Sequence, residues 1–149
     1  MKIEIKRRYS GIVLFTHEQE DNTVKLTVES AGKAGASLAG ANLEGASLAY
    51  ANLTGANLAY AYLTGAYLEG EEKLVGRRPI FQIGPIGLRG AYLISYITDK
   101  GLRIRAGCFF GSVSKFKAML KETHGDNEHA QEYKAALTLI NKHAKIWSK

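Results

Sequence analysis

The chain has 149 residues, 20 Lys and Arg against 14 Asp and Glu, a formal net charge of +6 and one cysteine. A lone thiol excludes an internal disulfide and fits a reducing compartment, so the cytoplasm is the expected location. No run approaches the roughly 20 apolar residues of a membrane span, and MKIEIKRRYSG lacks the apolar stretch of a signal peptide, so neither a membrane partner nor export is expected.

In chain order, Lys2 to Lys6 alternates around Ile3 and Ile5, which predicts a strand. Tyr9-Ser10-Gly11 reads as a turn and Ile12 to Phe15 as the returning strand of a hairpin. Asn22 is a good helix N-cap. The segment after it fits two patterns: Val24, Leu26 and Val28 alternate as in a strand, while Val24, Val28 and Ala31 fall on one helix face. The helix is the chosen reading, because it would lead into the next segment and close its open end.

That next segment is ASLAG ANLEG ASLAY ANLTG ANLAY AYLTG AYLEG. Alanine recurs every fifth residue from Ala36 to Ala66, with leucine two places behind it each time. Five is not a helical period; at 3.6 residues per turn these leucines would scatter around the axis. A chain that turns a corner every five residues puts each Ala and Leu on one side, because residues two apart on extended chain share a face. Units this small bury nothing alone and must stack. The pairs Ala36/Leu38, Ala41/Leu43, Ala46/Leu48, Ala51/Leu53, Ala56/Leu58, Ala61/Leu63 and Ala66/Leu68 resemble the pentapeptide-repeat pattern A-(D/N)-L-x-x. The resemblance implies a right-handed, four-sided β-helix with four repeats per coil, so seven repeats give just under two coils. Leu38 should then stack on Leu58, Leu43 on Leu63 and Leu48 on Leu68.

Beyond EEKLVGRRP, Ile80 to Ile83 predicts a short strand, GPIGLRG a glycine-rich loop, and Ala91 to Thr98 and Leu102 to Ala106 a hairpin turning at Asp99-Lys100-Gly101. Ser112 or Ser114 should cap a helix with Val113, Phe116, Met119, Leu120 and Thr123 on its buried stripe and Gly125 at its end. Asn127 should cap a last helix whose face is Tyr133, Ala136, Leu137, Ile140, Ala144 and Trp147. The expected fold is therefore α+β: residues 1–35 an N-terminal hairpin and capping helix, 36–70 the β-helix, and 71–149 a β-hairpin plus two helices. The stretches MKIEIKRRYSGIVLF and RPIFQIGPIG through THGDN are similar to the head and tail of small phage and prophage proteins with pentapeptide repeats, which implies a phage setting.

Several residues are candidates for chemistry. Gly84, Gly87 and Arg89 could cradle an anion, since glycine frees backbone N–H groups and arginine pairs with phosphate. The stretch lacks the Gly-Lys-Ser/Thr end of a Walker motif, and a tight strand connection is the simpler account. Arg103 and Arg105 share a strand face and could contact an anion, joined by Lys6, Arg7 and Arg8 if both hairpins lie on one side. Tyr50, Tyr60, Tyr62 and Tyr67 occupy outward repeat positions and suit an interface, or packing beneath the flanks. Cys108 with His124 or His129 could form a nucleophile and base, but its apolar neighbours predict a buried, inert thiol. His124-Gly125-Asp126-Asn127 reads more simply as helix capping. Four scattered histidines and one cysteine give no zinc spacing, and no metal or cofactor is expected.

The repeat positions preceding leucine carry no acid, which disfavours DNA mimicry. No nucleic-acid module is visible and nucleic acid is not an expected partner. The expected function is a non-enzymatic binding protein that engages a host protein, or sequesters a small anionic, nucleotide-like ligand, as a counter-defence factor. A homo-oligomeric or virion-associated spacer is the structural alternative, and a Cys/His enzyme is disfavoured.

Overall fold

The computed structural model describes residues 1–88 and 90–149; Arg89 lies outside the described residues. Strand β1 (Lys2–Lys6) pairs antiparallel with β2 (Val13–Glu18), with a bulge between Ile5 and Lys6. Helix α1 spans Val24–Lys33, so the helical pattern won over the alternating one. The reason is burial: Thr27, Val28 and Ala31 lie on one helix face and are sealed in the core. The N-cap is Thr23, not Asn22. Thr23 accepts from the Leu26 amide at 3.1 Å. Asn22 is buried and otherwise engaged, donating to the His17 carbonyl at 2.8 Å and the Met1 carbonyl at 3.3 Å. It therefore ties the hairpin to the helix.

The repeats stack with a register of twenty residues: parallel bridges join Ser37 to Asn57, Asn42 to Tyr62 and Ser47 to Tyr67. The Leu38, Leu43 and Leu48 amides each donate to the coil above at 2.9 Å, to Asn57, Tyr62 and Tyr67 carbonyls respectively. Leu38, Leu43, Leu48, Leu53, Leu63 and Leu68 are buried, and Leu58 is half-buried. Each unit then turns tightly, the Ala41 amide returning to the Leu38 carbonyl at 3.0 Å and Ala46 to Leu43 at 3.1 Å. The corner residue takes a positive φ. Glycine fills that place at Gly40, Gly45, Gly55, Gly65 and Gly70, and tyrosine at Tyr50 and Tyr60. Three extended residues and a left-handed corner explain the period of five.

The described repeats make isolated bridges rather than long strands, and they do not close a second coil. After Leu68 a 3₁₀ turn at Glu69–Glu71 carries the chain away. The unit from Ala51 to Gly55 is left without a coil above it. In the earlier units the corner glycine amide finds a carbonyl in the next coil: Gly40 to Ala59 at 2.8 Å and Gly45 to Thr64 at 2.9 Å. At Gly55 the acceptor is the Gln82 side chain, 3.0 Å away. The same amide group donates to the Leu53 carbonyl at 2.8 Å and the Ala56 carbonyl at 3.2 Å. One side chain thus substitutes for a missing strand. At the other end, Lys6 accepts from Asn42 at 2.8 Å and Glu29 from the Asn52 amide at 2.8 Å, so the hairpin and α1 cover the first coil.

The C-terminal region departs from the expected hairpin. It holds a four-stranded antiparallel sheet in the order β3 (Ile80–Ile86), β4 (Ala91–Thr98), β5 (Gly101–Ala106), β6 (Phe109–Ser112). Two local features add β6 and lengthen the strand expected at Ile80 to Ile83. Gly107, at φ 57, turns the chain in two residues and returns Phe109–Ser112 against β5. The sequence GPI also remains in β3, across a register shift, rather than in a loop. Helix α2 (Val113–His124) is capped by Ser112 and closed by Gly125, and α3 (Glu128–Trp147) is capped by Asn127. Ile94 and Tyr96 of β4 pack toward the repeats, while Leu93 packs with Ile104, Phe116, Leu120 and Ile140 under the two helices. Strand β4 is therefore a layer shared by two cores.

Candidate functional site

A cleft of about 320 Å³ lies between the second coil and the segment from Arg77 to Gln82. A neighbouring cleft of about 470 Å³ is lined by Arg7, Arg8, Tyr9 and Tyr62. Tyr60, Arg77 and Pro79 line both. Among the described residues, no acidic side chain lines either one.

The C-terminus of α3 holds Arg77 and Arg78 in place. A side chain at Gly76 would collide with the Trp147 carbonyl, so glycine permits the close approach. The Arg77 amide then donates to that carbonyl at 3.0 Å. His143 Nε2 donates to the Arg78 carbonyl at 2.9 Å, and its ring stacks on Phe81 at 4.3 Å. On the other wall, the Arg8 amide donates to the Gly40 carbonyl at 3.1 Å, and the Arg7 stem lies against Gly40. Hairpin and repeat are thereby locked together.

The arginines stack on aromatic faces. The Arg78 guanidinium carbon sits 5.0 Å from the ring centres of both Tyr60 and Trp147, and Arg77 sits 5.0 Å from Trp147. Arg8 lies 3.3 Å from the Tyr62 ring and 4.9 Å from Tyr9. Among the described residues, Arg7, Arg8, Arg77 and Arg78 make no salt bridge. A stacked guanidinium keeps its in-plane N–H fork for an oxyanion. The site combines flat apolar faces with unpaired positive charge.

Residues 36–70 match the family model of pentapeptide repeats, in eight copies. No curated protein and no solved structure matches the chain. No helix among the described residues is long and apolar enough to cross a membrane.

The other candidate residues lie elsewhere. Gly84 sits inside β3, 3.0 Å from Ala91 and Tyr92 measured at the position of an added Cβ. The Gly87 amide donates to Glu132 Oε1 at 2.6 Å, and a side chain there would collide with the Tyr133 hydroxyl. These glycines serve close packing, and the Gly87 N–H already holds a carboxylate of its own chain. Arg103 Nε donates to both Glu72 oxygens, at 3.1 and 2.9 Å. Arg105 pairs with Glu69 and lies 4.7 Å from the Phe110 ring; its Nε is buried without a partner. The two pairs dock the acidic turn that ends the pentapeptide repeats onto β5. Lys6, Arg7 and Arg8 belong to the hairpin side, and Arg7 and Arg8 meet Arg77 there. Burial raises the Tyr96 phenol above the ordinary range, and the positive charge of Arg105 opposes that shift.

The four tyrosines do not form one patch. Tyr60 and Tyr62 line the clefts. Tyr50 is 73 % exposed and belongs to a unit half a coil away, while Tyr67 is half-buried and bridges to Ser47 and Lys73. Cys108 is exposed in the β5–β6 turn, which overturns the buried thiol expected from its apolar neighbours. The turn forces it outward while Phe109 and Phe110 point into the cores. His124 packs on His129 at 5.5 Å and on Tyr133 at 6.3 Å. The sequence reading missed Arg78, Arg77, Trp147 and Tyr9 as a group. A pair of Arg-Arg dyads flanking a neutral repeat was the available signal.

Proposed function

We propose that the chain is a non-enzymatic binding protein whose pentapeptide repeats form a short right-handed, four-sided β-helix, and whose arginine-lined cleft sequesters a small anionic, nucleotide-like ligand. The observation that carries this reading is Arg78, held between Tyr60 and Trp147 with no carboxylate partner among the described residues. An aromatic ring on the ligand finds stacking partners there, and its anion finds the guanidinium edges. The likeness of head and tail to phage proteins supports a counter-defence role in a host cytoplasm.

Trp147 is the sole tryptophan and reports on the cleft through Arg77 and Arg78, which lie over its ring. Titration with a nucleoside triphosphate should change its fluorescence saturably, and Arg78→Ala should weaken the response about tenfold or more. A flat titration, or an unaltered Arg78→Ala curve, refutes the reading. Exposed Tyr50 favours a second contact, to a host protein or another copy of the chain, on the opposite face. Light scattering of Tyr50→Ser against the parent chain tests the homo-oligomer.

A further inference from the structure

We infer that the two clefts form one extended site for two successive nucleotides joined by phosphate, single-stranded rather than duplex. This rests on the reading of the cleft as a nucleotide-like anion site and specifies the ligand's size and class. The clefts are contiguous, because Tyr60, Arg77 and Pro79 line both. Each is lined by its own aromatic–arginine group: Phe81 with Arg77 and Arg78 in one, Tyr9 and Tyr62 with Arg8 in the other. Tyr60 stands between them. Volumes of about 320 and 470 Å³ each fall in the range of a small-ligand pocket, so a mononucleotide occupies one and leaves the other empty. Aromatic faces alternating with phosphate-seeking arginines are how single strands are held without base pairing. A duplex keeps its base faces stacked internally and cannot offer them.

The backbone at Tyr60 adds an independent observation. Its φ is 58°, the left-handed corner that glycine fills in the sister units, and the side chain is 76 % exposed. A tyrosine there strains the chain without burying its ring. Tyr50 has the same strain at φ 60 but lies half a coil away, so it serves as the control.

The test is fluorescence anisotropy with a labelled single-stranded decanucleotide, competed by a free dinucleotide, a mononucleotide and a duplex. The dinucleotide should compete about tenfold or more better than the mononucleotide, as a second stacked base implies. Tyr60→Gly should weaken binding about tenfold while raising Tm; Tyr50→Gly should raise Tm and leave binding unchanged. A decanucleotide that binds tighter than the dinucleotide assigns a strand as the source, and equal binding assigns a free dinucleotide. A mononucleotide that competes as well as the dinucleotide overturns the two-nucleotide site while leaving the anion cleft standing. Equal binding of duplex, or no effect of Tyr60→Gly, also overturns it. Silence of every nucleotide, Trp147 fluorescence included, removes the cleft reading itself.

Discussion

Gln82→Met removes the side chain that caps the unit from Ala51 to Gly55. Methionine keeps the length and the apolar stem of Gln82 but not its amide. Three backbone groups lose their partner: the Gly55 N–H and the Leu53 and Ala56 carbonyls. Each such bond contributes about 0.5–1.5 kcal/mol net. Gln82 is half-buried, so water replaces part of the loss. The expected cost is about 2–3 kcal/mol, toward the middle of the summed range. For a chain of this size that lowers Tm by about 4–12 °C. Gln82→Glu keeps the acceptor for Gly55 but faces two carbonyls with a carboxylate, so it should fall at least as far. Thermal melting followed by far-UV circular dichroism measures both. A Gln82→Met melt within about 1 °C of the parent refutes the idea that this amide closes the repeat.

Tyr50→Gly should stabilise the fold by about 0.5–1 kcal/mol, because relief of left-handed strain exceeds the entropy cost of glycine; chemical denaturation reads it, and a loss of stability refutes the strained corner. Tyr96 predicts an alkaline limit. Its phenol is raised by burial, so its contribution is fully present below the unfolded value of about 10 and is lost as pH rises through the higher folded value. Ultraviolet titration should show one phenol ionising late, together with unfolding, and Tyr96→Phe should abolish that step. Ionisation before any structural change would contradict the burial argument.

The repeat was legible because its order is local: each Ala and Leu takes its place from a corner five residues away, and the register of twenty follows. Helix capping by Ser112 and Asn127 was legible for the same reason. What escaped was whatever depended on distant partners. Asn22 looks like a cap, yet the hairpin claims its amide. Phe109–Ser112 looks like a lead into a helix, yet β5 offers it an open edge. Arg103 and Arg105 look like free cations, yet Glu69 and Glu72 arrive from the end of the repeat to pair with them. Arg78 looks unremarkable in sequence, and only the fold gives it two aromatic faces, Tyr60 from the repeats and Trp147 from the end of α3.

The site and the incomplete coil have one cause. A closed stack would cover Leu58 with another leucine and leave no opening. Here no third coil follows, so Leu58 is only half-buried and lines the cleft. The repeat supplies little charge to that opening, since residues 36–70 contain only Glu44 and Glu69 as charged residues. Positive charge must therefore come from the flanks, and both flanks are forced near by the same need to satisfy open coil ends: Lys6 and Arg8 bond the first coil, and Gln82 bonds the fourth unit. Capping thus delivers Arg8 from one side and Arg77–Arg78 from the other to a neutral, aromatic surface. Adding repeats would remove the opening and separate the two arginine pairs, so shortness of the stack is a requirement of the site rather than an accident of its length.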